Sequence, residues 1–171
     1  DDWSAVAQAV AESLAAQHII YAEASISPTD FRQHELSVAA IATAVRAGLE
    51  RVEGTQVNLL VDLVRDTGPE WCARTLEEVI EVAPDAGIVG ITIGGSEQDF
   101  PPGPYAAVYQ RAGEAGLGRT GHAGAAGGPE NVRTALDELG VDRIGHGIRS
   151  VEDPSLVEHV GERQVPLVGC A

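Results

Sequence analysis

The chain contains no methionine, not even at position 1, so it is not expected to begin at a native start codon. It has two cysteines, Cys72 and Cys170. Two thiols far apart in sequence exclude a disulfide framework and lack metal-type spacing; lone buried thiols are expected. Basic residues are scarce, 11 Lys and Arg against 26 Asp and Glu, for a net charge of −15. Nucleic-acid affinity comes mostly from basic side chains releasing counterions, so a phosphate-backbone partner is disfavoured and no nucleic-acid partner is expected. No apolar run approaches the roughly 20 residues of a membrane span. The opening Asp1-Asp2-Trp3 is not that of a signal peptide. No membrane partner and a cytoplasmic location are therefore expected.

What is present is a 171-residue chain, 44% apolar and 22% charged. That composition suits one soluble domain with a real core over residues 1–171. Residues 2–17 place Trp3, Val6, Ala7, Val10, Ala11 and Leu14 at helical spacing. A β-like stretch follows over 18–26, broken by Ser27-Pro28-Thr29-Asp30. A helix is predicted over 35–50 on Leu36, Ala40, Ile41, Ala44, Val45 and Leu49. Residues 56–64 form a near-continuous apolar run, as in a strand covered on both faces. Gly68-Pro69-Glu70 opens a helix with the stripe Trp71, Leu76, Val79, Ile80 and Ala83.

The pattern repeats with strands over 87–93, 117–122, 142–146 and 165–168, and helices over 105–115, 129–139 and 154–162. Six strands alternate with helices, which suits βαβ units with right-handed crossovers. A full (β/α)₈ barrel usually needs about 200 residues or more. The chain is thus either a smaller doubly wound sheet or part of a barrel with two strand edges left unpaired.

The chemistry-bearing stretch is Thr120-Gly121-His122-Ala123-Gly124-Ala125-Ala126-Gly127-Gly128-Pro129-Glu130. It reads as a strand end, a glycine turn and a helix start. Arg143-Ile144-Gly145-His146-Gly147 ends the next strand. Histidines at the ends of adjacent strands point into one mouth, where α/β folds keep their chemistry. Gly94-Gly95-Ser96-Glu97 offers backbone N–H groups to a ligand or makes a tight turn. Residues 124–128 look like a phosphate cradle but match neither the P-loop nor the dinucleotide spacing. Asp62, Asp66, His18, His34 and His159 read as surface or structural residues.

Together these motifs resemble the adenosine deaminase family. They include His122-Ala123-Gly124 with Pro129-Glu130-Asn131-Val132, Asp142 to Gly147, and Val151-Glu152-Asp153-Pro154. Ile20-Tyr21-Ala22-Glu23 with Ser27-Pro28, and Val89-Gly90-Ile91 with Gly95-Ser96-Glu97, belong to the same pattern. The similarity runs over nearly the whole chain, in order, and looks strongest to actinobacterial members, including those resembling aminodeoxyfutalosine deaminases.

The resemblance implies an α/β fold of alternating β/α units, six of the eight of a TIM (β/α)₈ barrel of the metal-dependent hydrolase type. It implies hydrolytic deamination of the 6-amino group of an aminopurine nucleoside by a zinc-activated water. By the family pattern His122 is a zinc ligand, His146 a catalytic residue that holds and helps deprotonate the water, and Gly95 a backbone donor to the purine ring. The catalytic position three after His122 should be glutamate and is Ala125, which has no proton to give. The family's opening His-x-His pair and late Asp-Asp pair are absent, so the zinc site is incomplete in this chain. Gly121 and Gly169 stand where larger strand residues are expected, which should loosen the packing.

Three readings are open. The chain is the middle of a longer deaminase carrying a Glu-to-Ala change that traps substrate. Alternatively it is a degenerate relative acting as a binding or scaffold module. Otherwise a second copy supplies the missing strands, making a homo-oligomer. The first is adopted, because Ala125 is one exception inside an intact motif; as written, the chain should be inactive or nearly so.

Overall fold

The computed structural model describes residues 2–34 and 36–169. Glu35 and Cys170, the sites of two expectations above, lie outside them. The elements are α1 (Asp2–Ala16), β1 (Tyr21–Ile26), α2 (Val38–Leu49), β2 (Gln56–Asp62), α3 (Pro69–Ala86) and β3 (Ile88–Thr92). They continue with α4 (Ala106–Glu114), β4 (Gly118–Ala123), α5 (Pro129–Asp137), β5 (Arg143–His146), α6 (Pro154–Glu162) and β6 (Leu167–Val168). Strands are hydrogen-bonded in chain order. The pairings β1–β2, β3–β4, β4–β5 and β5–β6 are parallel. The fold divides into two compact units, residues 1–62 with 77–89, and 63–76 with 90–171.

In the first unit, Val57, Leu59, Leu60 and Val61 of β2 are all buried, as a strand covered on both faces requires. Ser37 caps α2 by accepting the Ala40 amide at 3.1 Å, so the helix starts at Val38 and Leu36 stays outside it. The stripe expected on α1 is corrected. Its buried residues are Ser4, Ala7 and Ala11, while Val6 and Val10 are exposed. The close approach of α1 and α2 explains the rotation. A Cβ at Gly48 would run into the Ser4 carbonyl and the Ala7 methyl, so only small residues fit the crossing. Val6 and Val10 instead line an open apolar cavity of about 370 Å³ with Trp3, Ile26 and Phe31.

Along α3 the buried positions are Cys72, Thr75, Leu76, Val79, Ala83 and Ala86. Trp71 lies one residue off that stripe, about 100° around the helix. It is exposed, with the Arg74 guanidinium 5.0 Å from its ring centroid, a correction to the expected stripe.

The second unit is pinned by satisfied polar groups. Tyr109 is buried and its hydroxyl donates to the Thr120 carbonyl at 2.8 Å, beneath β4. Asp153 caps α6, accepting the Ser155 and Leu156 amides at 2.9 and 3.3 Å. Bonds from the Ser155 hydroxyl and Arg133 bring its pKa down to about 2. The looseness expected at Gly121 is also corrected. A Cβ there would sit 3.1 Å from Val141 Cγ1, so a neighbouring side chain already fills the space. At Gly169 nothing lies within 4 Å, and that position is open as expected.

Candidate functional site

Every residue singled out for chemistry falls in the second unit. The β4–β5 register pairs His122 with Gly145 and Ala123 with His146, so the two strands end side by side. The imidazoles of His122 and His146 meet edge to face, with centroids 4.2 Å apart and planes at 65°. Both are half-buried. His146 has φ +69° and is followed by Gly147 at φ +66°. A left-handed residue other than glycine costs on the order of 1–3 kcal/mol and persists where surroundings over-determine it. Here Gly147 N–H donates to the Ala123 carbonyl at 2.9 Å, which fastens the turn after His146 to the end of β4.

The loop after β4 holds the next finding. The stretch that looks like a phosphate cradle, without matching a phosphate motif, is filled by a side chain of the same chain. The buried Glu97 carboxylate accepts the Gly124 amide on Oε1 at 2.6 Å. Its Oε2 accepts the amides of Ala125, Ala126 and Gly127 at 3.0, 2.7 and 2.9 Å. Successive backbone N–H groups form a concave nest that favours an anion. Burial alone would raise this carboxyl's pKa, but the four amides hold it below its ordinary 4.5. Asn131 Nδ2 donates to the Glu97 carbonyl at 3.2 Å, and Arg149 Nη1 donates to the Ala126 carbonyl at 3.1 Å. Arg149 also pairs with Glu152 through two bonds of 2.7 and 2.9 Å. Ala125 and Ala126 are the exposed members of this fixed loop.

A buried cation serves the neighbouring carbonyls. Arg65 has no solvent exposure. Its Nη2 donates to the carbonyls of His122 at 2.6 Å and Ile93 at 3.0 Å. Nε reaches Gly94 O at 3.1 Å and Nη1 reaches Phe100 O at 3.2 Å. Tyr105 closes the cluster by donating its hydroxyl to the Arg65 carbonyl at 2.5 Å.

Gly95 sits exposed in the loop after β3 with φ +93°. A Cβ there would strike the Asp66 carboxylate, whose Oδ2 accepts the Ser96 amide at 3.0 Å. Among the described residues the Gly95 N–H has no hydrogen-bond partner. Asp62 accepts the Ser27 hydroxyl at 3.2 Å, and His159 lies 2.9 Å from Asp137. His18 and His34 are exposed. Cys72 is buried and donates to the Leu63 carbonyl at 3.3 Å.

Arg65 and the pairing of Glu97 with 124–127 were missed by sequence reasoning. Local sequence leaves the first loop open between a ligand donor and a tight turn and makes the second a weak match to a phosphate cradle, and nothing in either indicates that one supplies the anion for the other. Arg65 gives a faint signal, a lone cation directly after an apolar strand.

A catalytic zinc takes three or more protein ligands. Among the described residues no group of three or more His, Cys, Asp or Glu side chains comes together. The two imidazoles stand as a pair, so the described residues do not by themselves make up a catalytic zinc site.

The family model for adenosine deaminase matches residues 1–171. The chain belongs to the adenosine deaminase family. An adenosine deaminase of Serratia proteamaculans is 37% identical over 154 residues, 88% of this chain and 46% of that protein. The adenine deaminase structure from Arthrobacter aurescens superposes with a TM-score of 0.90 at 32% identity, covering 99% of this chain and 52% of that one. An amidohydrolase from Burkholderia ambifaria solved with bound zinc gives 0.92 at 29% identity, covering 98% and 47%. The fold is α/β, with six of the eight β/α units of an amidohydrolase TIM barrel. The chain spans about half the length of the deaminase-family relatives it matches. Among the described residues no helix is long and apolar enough to cross a membrane.

Proposed function

We propose that these residues form part of a purine deaminase site, acting on the 6-amino group of an aminopurine nucleoside in the cytoplasm. The observation that carries the reading is the contact of the His122 and His146 rings at 4.2 Å, at the ends of adjacent strands. In this reading His146 takes a proton from the attacking water. The Gly95 N–H donates to the purine ring. Position 125 is where a ring nitrogen would be protonated, and alanine cannot do it. Loss of such acid help typically costs on the order of 10²–10⁴ in rate. His122 is the ligand this chain offers to a zinc ion, whose other ligands would come from beyond the described residues.

The test is ammonia release from adenosine, adenine and aminodeoxyfutalosine with zinc supplied. It compares the chain and any longer form carrying it with their Ala125→Glu variants. The unsubstituted protein should release little or none, and the variant at least about 10² times more. A zinc-loaded variant inert on every aminopurine would overturn the reading.

One observation favours a second reading, a non-catalytic binding module that assembles with copies of itself. Ala125 removes the acid, and Leu167 and Val168 of β6 are 45% and 51% exposed. Among the described residues β6 is paired on the β5 side alone, and an open apolar strand edge is a template for pairing. A metal-free oligomer by native mass spectrometry would favour this reading, and a zinc-loaded monomer the first.

A further inference from the structure

We propose that Glu97 is a positioning residue of the site, an internal anion that fixes loop 124–127 and through it the end of β4 that carries His122. This rests on the deaminase reading of His122, His146 and position 125.

Four consecutive amides converge on one buried carboxylate, with bonds of 2.6, 3.0, 2.7 and 2.9 Å. A charged acceptor makes each bond stronger than a neutral one. The Gly124 and Gly127 amides have no recourse to water, because both residues are buried. The glycines are also required by the geometry. A Cβ at Gly124 would enter the Val132 side chain, and one at Gly127 would strike the Asn131 amide that holds the Glu97 carbonyl. From the other side, Arg149 N–H donates to the Gly124 carbonyl at 3.0 Å. Loop 124–127 is thus gripped on its amides by an anion and on its carbonyls by Arg149. One residue upstream of that loop is Ala123, whose carbonyl fastens the turn after His146. A shift of the loop would therefore move both imidazoles together.

Glu97 has no free face for chemistry of its own, being 3% exposed with both oxygens occupied. It acts on the site through the backbone. Gln at this position keeps the size but turns an NH₂ toward donors, which breaks the nest. Removing the side chain to Ala releases the four amides and leaves room for a small carboxylate such as formate to gather them again.

The experiment is NMR on the whole chain. In the unsubstituted protein, through-hydrogen-bond couplings should link the Glu97 carboxylate carbon to the amide nitrogens of residues 124–127. In Glu97→Gln, exchange protection of those amides should fall about tenfold or more, the equivalent of one charged hydrogen bond. The imidazole signals of His122 and His146 should shift in the same variant, while amides of β2 stay in place. Formate added to Glu97→Ala should restore both the loop and the imidazole signals. Absent couplings in the unsubstituted protein would overturn the proposal even if neither variant folds. So would a folded Glu97→Gln with unmoved imidazole signals. None of these readouts needs turnover. An inert Ala125→Glu enzyme with intact couplings would remove the deaminase reading and leave the nest.

Discussion

The guanidinium of Arg65 donates to the carbonyl of His122 at 2.6 Å, so a buried cation on the loop after β2 holds the backbone of the candidate zinc-ligand histidine. The same side chain reaches Ile93, Gly94 and Phe100. It therefore ties the loop after β3 to the end of β4.

Arg65→Met should cost at least about 3 kcal/mol of unfolding free energy, because several carbonyls lose a charged donor inside the protein. Arg65→Lys should recover only part of this, since one ammonium cannot fan to four acceptors. Urea denaturation of both variants checks it; equal stability of Met and Arg would contradict it.

Gly95→Ala should destabilise by about 1–3 kcal/mol, from a side chain forced to positive φ. The added methyl would also displace Asp66 from the Ser96 amide. The expected result is a lower melting temperature together with weaker aminopurine binding. A variant as stable as the parent would show that the loop after β3 is not held as described.

Gly48→Ala tests the helix crossing of the first unit. Its Cβ would meet the Ser4 carbonyl, which is backbone and cannot rotate away. Overpacking of this kind typically costs about 1–3 kcal/mol. Thermal unfolding by circular dichroism measures it, and Gly48→Val should be worse.

Acid stability follows from Glu97. Its folded pKa lies below the ordinary 4.5, held there by four amides against the upward push of burial. A depressed carboxylate contributes stability that is fully present above its unfolded pKa. That contribution is lost as pH falls through the folded value. Unfolding free energy should therefore decline as pH drops below about 4.5, and this part of the slope should vanish in Glu97→Gln. Arg149 is the cation across the loop and is already paired with Glu152, so it does not titrate in this window. An unchanged acid slope in the variant would contradict the assignment.

Much of the fold was legible in the sequence because its signals are local. The apolar run over 56–64 and the Pro69, Pro129 and Pro154 helix starts each fix an element through nearest neighbours. His122 and His146 were legible as a pair because both stand at strand ends flanked by glycine. What was not legible depends on partners far along the chain. Trp71 and Val6 look like core residues by period, yet the faces of α3 and α1 are set by what packs against them. Gly121 looked like a gap because Val141 lies 20 positions away. Glu97 and the 124–127 loop are separated by a whole β/α unit, and sequence spacing says nothing of their complementarity.

The central claim is that two imidazoles and the Gly95 amide belong to one purine site. It is tested most directly by titrating an aminopurine nucleoside into isotope-labelled protein and following those groups by NMR. The signals of His122, His146 and Gly95 should move together and fit a single dissociation constant. Signals that stay fixed at saturating nucleoside, or move with unrelated constants, would contradict it.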